Sequence, residues 1–420
     1  MEQDVLLERL RSLVASVTKE SGSPAYRSLY GMEGRQAKDI ASWEEWRSLP
    51  FLTKEYLQSI PLSQRSFAPW HTLDAMYVSS GTSGKPPFFS VRTRVAGYDY
   101  RTASFPQPRA FLSSVGPSHR QALWLSTLEK PAKIITLDPK RMEASVRLAK
   151  VAGVDGMFVF VHHVPFLGEL MRKHAMAQQI RYVEVTGEMC SSSMYRYLRE
   201  TFPHALLAGS FGATEIEDTP FAIASGSDEE TLRSFTAKPG CFLELIDPET
   251  GCIIEPAVDS EGELLLTTYA DEHMAFPMIR YRIGDLVRVT HVEGDTWYFT
   301  SLGRTNVDFI KIAGGMLHGD EIARVLNTFD TSIGEQFEAH VHEHTSAQGP
   351  ITEVVLHVPA GADSPELAGY VTEHLRIGPS FTYADGVARG IYKELSCAVL
   401  PEKTEKEAQK KRRIVRDMSS

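Results

Sequence analysis

Four short stretches of this chain bring small residues, hydroxyls and charge together at spacings that could do chemistry. The sharpest is Val78-Ser-Ser-Gly-Thr-Ser-Gly-Lys-Pro86, in which Ser79, Ser80, Gly81, Thr82, Ser83 and Gly84 precede Lys85. Small residues let a backbone approach a phosphate closely, N–H and hydroxyl groups donate to its oxygens, and an ammonium adds positive charge. The stretch suits an anion, yet it departs from the G-x-x-x-x-G-K-[ST] loop, because two residues separate Gly81 from Gly84 and Pro86 follows the lysine. A surface turn accounts for it equally well. Gly209-Ser-Phe-Gly-Ala-Thr-Glu215 offers a ring, Phe211, to a planar ligand and a single carboxylate, Glu215, to a magnesium ion, which takes oxygen ligands. A buried Phe with Thr214 capping a helix and Glu215 in its first turn explains the same letters. Arg280-Tyr-Arg-Ile-Gly-Asp285 sets a carboxylate after a glycine at a turn, able to accept hydrogen bonds from two vicinal hydroxyls or to be a plain turn Asp. Gly303-Arg304 and Asp308-Phe-Ile-Lys-Ile-Ala-Gly-Gly315 add a cation for phosphate or ribose and a glycine pair tolerant of unusual backbone angles, at a change of texture that suggests a hinge.

The elements that must position these residues follow from the apolar pattern. Short apolar runs at 121–126, 133–137, 157–161 and 182–185 predict buried strands, with helical patterns at 143–152, 166–179 and 192–202 between them, an α/β arrangement with largely parallel pairing. From Pro239 the runs at 241–246, 262–268, 285–290 and 296–300, parted by turns such as Asp247-Pro-Glu-Thr-Gly251, predict an antiparallel sheet or small barrel. Beyond Arg304, a helix at 320–327 and strands near 337–341 and 352–357 predict a third, smaller unit. Val5, Leu6, Leu10, Leu13, Val14 and Val17 recur at helical spacing and predict an amphipathic N-terminal helix packed on the body.

Composition narrows the class. A chain of 420 residues, 42% hydrophobic and 23% charged, can bury a substantial core. With 44 Lys+Arg against 54 Asp+Glu, its formal charge of -10 argues against nucleic acid or an anionic membrane as a partner. Glu2, Asp4, Glu8, Arg9 and Arg11 interrupt any signal-peptide core, and no apolar run nears the roughly 20 residues of a membrane span, so a cytoplasmic location is expected. The four cysteines, at 190, 241, 252 and 397, form no Cys-x-x-Cys pair, and Cys241, Cys252 and His273 lack a zinc-ligand spacing.

Taken in order, the four stretches resemble the adenylate-forming superfamily of acyl-CoA synthetases, luciferases and peptide-synthetase adenylation domains. Within it the chain is most similar to the phenylacetate-coenzyme A ligase family, through Thr186-Gly-Glu-Met189 ahead of a helix, Ile246-Asp-Pro-Glu-Thr-Gly251, Glu261-Gly-Glu-Leu-Leu-Leu-Thr-Thr268 and Met278-Ile-Arg-Tyr-Arg-Ile-Gly-Asp285. The resemblance implies an α/β fold: a large multi-subdomain N-terminal adenylation domain, 1–307, with parallel-rich sheets and a small β-barrel, and a small mobile α+β C-terminal domain, 308–420. It implies ATP, Mg2+ and coenzyme A as cofactors, and activation of a small, aromatic carboxylic acid to an acyl adenylate before transfer to the thiol. Ser79 to Lys85 would then cover the β- and γ-phosphates, and Gly187 and Glu188 would lie along the adenine or acyl pocket. Phe211, between Ser210 and Gly212, would stack on adenine; Thr214 would contact phosphate, Glu215 hold magnesium, and Asp285 and Arg304 hold the ribose. Asp308 would be the hinge, with Lys311 three residues beyond it. His162, His163, Tyr182 and Gly187 are expected along the acid pocket, although histidines satisfied at a strand end fit the first two as well.

The tail from Leu400 to Arg416 departs from the family, which has a lysine near the C-terminus, usually after a glycine: alignment on Arg413-Ile-Val415 selects Lys410, and alignment on Pro401 and Thr404 selects Lys406. One extra residue stands between Arg304 and Asp308, and Gly315-Met-Leu-His-Gly-Asp320 lacks the usual proline. These departures leave open a carrier-protein thiol or an amine as acceptor, a nucleotide-binding regulator as another class of function, and a homodimer as the assembly.

Overall fold

Runs such as Gly156-Met-Phe-Val-Phe160 and Tyr182-Val-Glu-Val-Thr186 are too short for stable helices and rich in β-branched and aromatic residues, so burial turns them into strands. In a computed structural model of the chain they lie inside one twelve-stranded sheet. The structure describes residues 3–31, 38–65, 73–78, 89–93, 108–114, 133–138, 141–187, 189–213, 215–216, 222–224, 228–269, 276–304, 309–313, 315–333, 336–346, 349–378, 381–401 and 414–416.

Ahead of that sheet, β1 (Leu73–Val78) and β2 (Phe89–Thr93) pair antiparallel. Within it, β3 (Ala110–Ser113), β4 (Lys133–Thr136), β5 (Gly156–Phe160), β6 (Tyr182–Thr186) and β7 (Leu206–Phe211) pair in parallel in the order β4-β3-β5-β6-β7. Parallel neighbours need long crossovers. Among the described residues the helices Met142–Val151, Val164–Lys173 and Ser192–Thr201 lie in such crossovers, each overlapping a stretch with helical periodicity and the first two starting one and two residues ahead of it. The second ends earlier than its apolar pattern, because Ala175 adopts φ 55° and breaks the turn. β8 (Ala222–Ala224) and β9 (Phe235–Ala237) then reverse direction. They join the parallel strands to an antiparallel end made of β10 (Cys241–Ile246), β11 (Ile253–Ile254), β12 (Glu261–Thr268), β13 (Tyr281–Glu293) and β14 (Thr296–Arg304). The change of texture at Pro239 is this change from parallel to antiparallel pairing.

The N-terminal helix Gln3–Thr18 buries Leu10, Val14 and Val17 in the core that also holds Tyr26, Trp46 and Phe299. Downstream, β15 (Phe309–Ile312) and β16 (Gly315–His318) form a hairpin. The hairpin of β17 (Glu338–Ser346) and β18 (Gly349–Val358) leads, past a short pair β19 (Arg376–Gly378) and β20 (Phe381–Thr382), to β21 (Ser396–Val399) and β22 (Ile414–Arg416). These last two flank the β17–β18 hairpin in parallel, giving a sheet β21-β18-β17-β22. The helices Gly319–Phe329 and Pro365–His374 share its core, whose fully buried members run from Ile312 to Ile414. The tip of that hairpin rests on the helix Ser192–Thr201: Gly349, at φ 123°, comes so near that a Cβ there would lie 2.9 Å from the Tyr197 ring. Among the described residues no helix is long and apolar enough to cross a membrane.

Candidate functional site

Parallel strands that end level with one another leave a crevice where ligands bind, because successive connections can diverge there. Phe160, Thr186 and Ser210 are register partners across β5, β6 and β7, so these three strands end at one level. Directly beyond them come His162 and His163 in a single 3-10 turn, Gly187, and the stretch Phe211 to Glu215. Gly187 holds φ 83°, and a Cβ there would sit 2.6 Å from the Phe160 ring, so both conformation and space demand glycine. Thr186 donates its hydroxyl to the Ser210 carbonyl at 3.0 Å. The Ser210 hydroxyl itself is buried and has no hydrogen-bond partner among the described residues, which is costly unless a ligand or water supplies one. Phe211 is half-buried, with ring centroids of Phe235 and Phe299 at 5.5 and 5.6 Å; Gly212 beside it is exposed.

Glu215 is buried at 6% exposure, and the described residues give its carboxylate one hydrogen-bonding partner, the Lys54 ammonium at 2.5 Å. Nothing local in the sequence marks Lys54, which lies 161 residues away. Its backbone is anchored: Leu52 donates its N–H to the Arg280 carbonyl at 3.2 Å and accepts from Arg282 at 2.9 Å, in a parallel bridge to Tyr281. Thr53 then caps the helix Lys54–Ser59, its hydroxyl accepting from the Tyr56 N–H at 3.1 Å. Arg280 fixes the same segment from below. Its fully buried guanidinium donates to Glu244 at 3.3 Å and to the carbonyls of Arg47 and Leu49 at 2.6 and 2.8 Å.

Asp285 does not sit at a turn, as its glycine neighbour suggested. It lies inside β13, where Gly284 holds φ 81° at a register shift against β12 between Glu263 and Leu265. This β-bulge bends the strand and re-aims the residues it carries, the usual use of bulges near sites. Across the other edge Asp285 is the register partner of Arg304, which ends β14.

Tyr182 is a second correction. Expected along the acid pocket, it opens β6, at a rise that puts it about 13 Å along the strand from Thr186. There it is fully buried, donates its hydroxyl to Glu184 at 2.8 Å and meets the Phe111 ring edge-on. His162 and His163 do reach the strand ends, with the His162 ring stacked on Phe160 at 5.4 Å. From the C-terminal unit, Lys311 donates to the Gly187 carbonyl at 3.1 Å and lies 5.5 Å from the Phe160 ring centroid, so β15 touches the end of β6. Ser79 to Lys85, Glu188, Thr214, Asp308, Lys406 and Lys410 lie outside the described residues, as do His273 and the side chain of Arg304. No cluster among the described residues combines three metal-ligating side chains at metal-binding geometry.

No protein-family model matches this chain, and no curated protein matches it in sequence. Among solved structures it is similar to 2-hydroxyisobutyryl-CoA ligase in complex with 2-HIB-AMP and CoA in the thioesterification state, over 99% of this chain and 89% of that one, at 17% identity and TM-score 0.64. The same ligase in the postadenylation state with 2-HIB-AMP is similar over 99% and 89%, at 18% identity and TM-score 0.62. Its open conformation with 2-HIB-AMP and CoA is similar over 99% and 91%, at 16% identity and TM-score 0.62. Over its whole length, then, the chain has the fold of an acyl-CoA ligase.

Proposed function

We propose that this protein uses ATP to activate a small carboxylic acid as its acyl adenylate and then passes the acyl group to coenzyme A. The observation that carries the proposal is the gathering of His162, His163, Gly187, Phe211 and the buried carboxylate Glu215 at the level ends of β5, β6 and β7, in a chain with an acyl-CoA ligase fold. In the first step a carboxylate oxygen of the acid bonds to the α-phosphorus, and the bond to pyrophosphate breaks. In the second the thiol sulfur, having lost its proton to solvent, attacks the acyl carbon, and AMP leaves with the electron pair of the acyl C–O bond. The protein's task is positioning and electrostatics. Phe211 would hold the adenine, Asp285 and Arg304 the ribose, and Ser79 to Lys85 with Thr214 the phosphates. Lys410 or Lys406 would approach the acid. A buried carboxylate, with a buried hydroxyl five residues before it, Ser210, that has no hydrogen-bond partner among the described residues, fits a hard cation with oxygen ligands. Magnesium, held by Glu215, would offset charge building on the phosphates.

Aromatic acids, as in the phenylacetate-coenzyme A ligase family, are the proposed substrates, met by the apolar wall of Phe160 and by His162. A division at 307/308, with Asp308 as hinge, would let the C-terminal unit serve both steps from two orientations, and its separate core supports that. The reading extends to a cytoplasmic location. Acid-dependent ATP–pyrophosphate exchange over aromatic and aliphatic acids tests the first step, and AMP release with and without coenzyme A tests the second. Exchange without coenzyme A stimulation would assign a carrier-protein thiol or an amine as acceptor. No exchange with any acid would favour a nucleotide-binding regulator or an acid outside the panel.

A further inference from the structure

We infer that Lys54 is an exchangeable counter-cation for Glu215, occupying the carboxylate until a divalent ion displaces it. Three observations carry this. Glu215 is almost wholly buried, and a carboxylate at such a depth is stable only with a compensating charge. The charge comes from a lysine, a compact ammonium on a flexible stem, and its side chain is 25% exposed against 7% for Glu215, so it has a path to water. Finally, the backbone beneath Lys54 is pinned to β13 through Leu52 and capped by Thr53, so the stem can swing without its base moving.

The consequence is that the ligand-free protein keeps Glu215 ionised and aimed at the site, and that the incoming ion competes with an internal ammonium. The inference rests on the proposed adenylate-forming reading only for the identity of that ion as the magnesium of Mg2+·ATP.

Thermal melts of the full chain test it, in EDTA and across a Mg2+ titration, with ATP added as a separate arm. Lys54→Met should melt at least about 2 °C lower than the native protein in EDTA. Mg2+ alone should raise its melting temperature more than it raises the native protein's, with half-saturation at about tenfold lower Mg2+ because the competitor is gone. Glu215→Gln should ignore Mg2+, and the double variant should melt with Glu215→Gln, since no charge is left unpaired. Lys54→Arg, whose fork grips a carboxylate harder, should fold normally and need more Mg2+. Lys54→Met matching the native protein in both readouts, a lowered melting temperature that Mg2+ does not recover, or an unchanged Mg2+ requirement in Lys54→Arg would each overturn the exchange. If Mg2+·ATP stabilises the native protein while Lys54→Met responds identically, the exchange fails and the adenylate-forming reading stands. If ATP never stabilises the native protein while Mg2+ still rescues Lys54→Met, the exchange stands and that reading fails.

Discussion

Glu244 and Glu215 are both buried carboxylates that face a basic side chain, and they are built to opposite ends. Glu244, on β10, meets Arg280 at 3.3 Å and the Trp46 indole N–H at 3.2 Å, and Arg280 spends further donors on the carbonyls of Arg47 and Leu49. Arg280 and Trp46 are fully buried, and Arg280 stacks over Phe51 at 4.7 Å. In that cluster two donors converge on one Glu244 oxygen, Oε2, and the cation itself is sealed in the core, although burial still pushes the Glu244 carboxyl above the usual range. Glu215 is buried to a similar depth, yet it meets a half-buried lysine through one oxygen, beside the end of β7 where the Ser210 hydroxyl goes unmatched. A buried ion pair therefore becomes a staple or a site according to whether its cation is itself sealed in the core or keeps a path to water. The two are also linked, since Arg280 anchors through Leu52 the segment that delivers Lys54.

Breaking the staple should give the largest effect. Arg280→Met leaves Glu244 buried without its cation and two carbonyls without donors, so urea unfolding should show a loss of about 3–5 kcal/mol. Adding Glu244→Gln to that variant should recover part of it. At the site the balance should reverse. Glu215→Gln should lower ATP–pyrophosphate exchange at least about a hundredfold, equivalent to roughly 2.7 kcal/mol. Its unfolding midpoint should hold or rise, because a buried charge has gone; a large loss of stability would make Glu215 a second staple. A smaller effect is expected between the two. Gly187→Ala forces a side chain into φ 83° and against the Phe160 ring, costing about 1–3 kcal/mol by the same urea measurement, with exchange reduced because the end of β6 shifts.

The smallest expected effect sharpens the comparison without changing a residue. Cys241 shares β10 with Glu244, Cys190 follows the end of β6, and both are buried, whereas Cys252 is exposed. Iodoacetamide labelling read by mass spectrometry should modify Cys252 first. Burial pushes the Cys397 thiol up to about 11, so its labelling should rise about tenfold per pH unit between roughly pH 7 and 9 as thiolate accumulates. Cys190 should label faster than Cys241, because a local opening at the site exposes it while Cys241 waits for the staple to unfold. Equal protection would mean that both regions open as one unit.

Much of the scaffold was legible in the letters for local reasons. The helix Gln3–Thr18 follows from the spacing of Val5, Leu6, Leu10, Leu13, Val14 and Val17, of which Val5 is exposed, and β5 and β6 follow from short apolar runs, the second interrupted by Glu184. The stretch carrying Phe211 and Glu215 follows an apolar run in the letters, and Phe211 closes β7. Asp285 was misread as a turn residue, since a bulge is defined by the neighbouring strand and Gly-Asp looks the same in both settings. Tyr182 and Gly187 are neighbours in the letters, yet an extended strand carries residues five apart to opposite ends.

The sequence by itself determined several of the helices and buried strands and the apolar faces they must bury, because these depend on neighbours a few positions apart. Tertiary structure alone decided that Lys54 meets Glu215, that Arg280 closes on Glu244, and that Lys311 reaches the Gly187 carbonyl. Those partners are separated by 161, 36 and 124 residues, and what joins them is the stacking of strands in space, which no periodicity along the chain encodes.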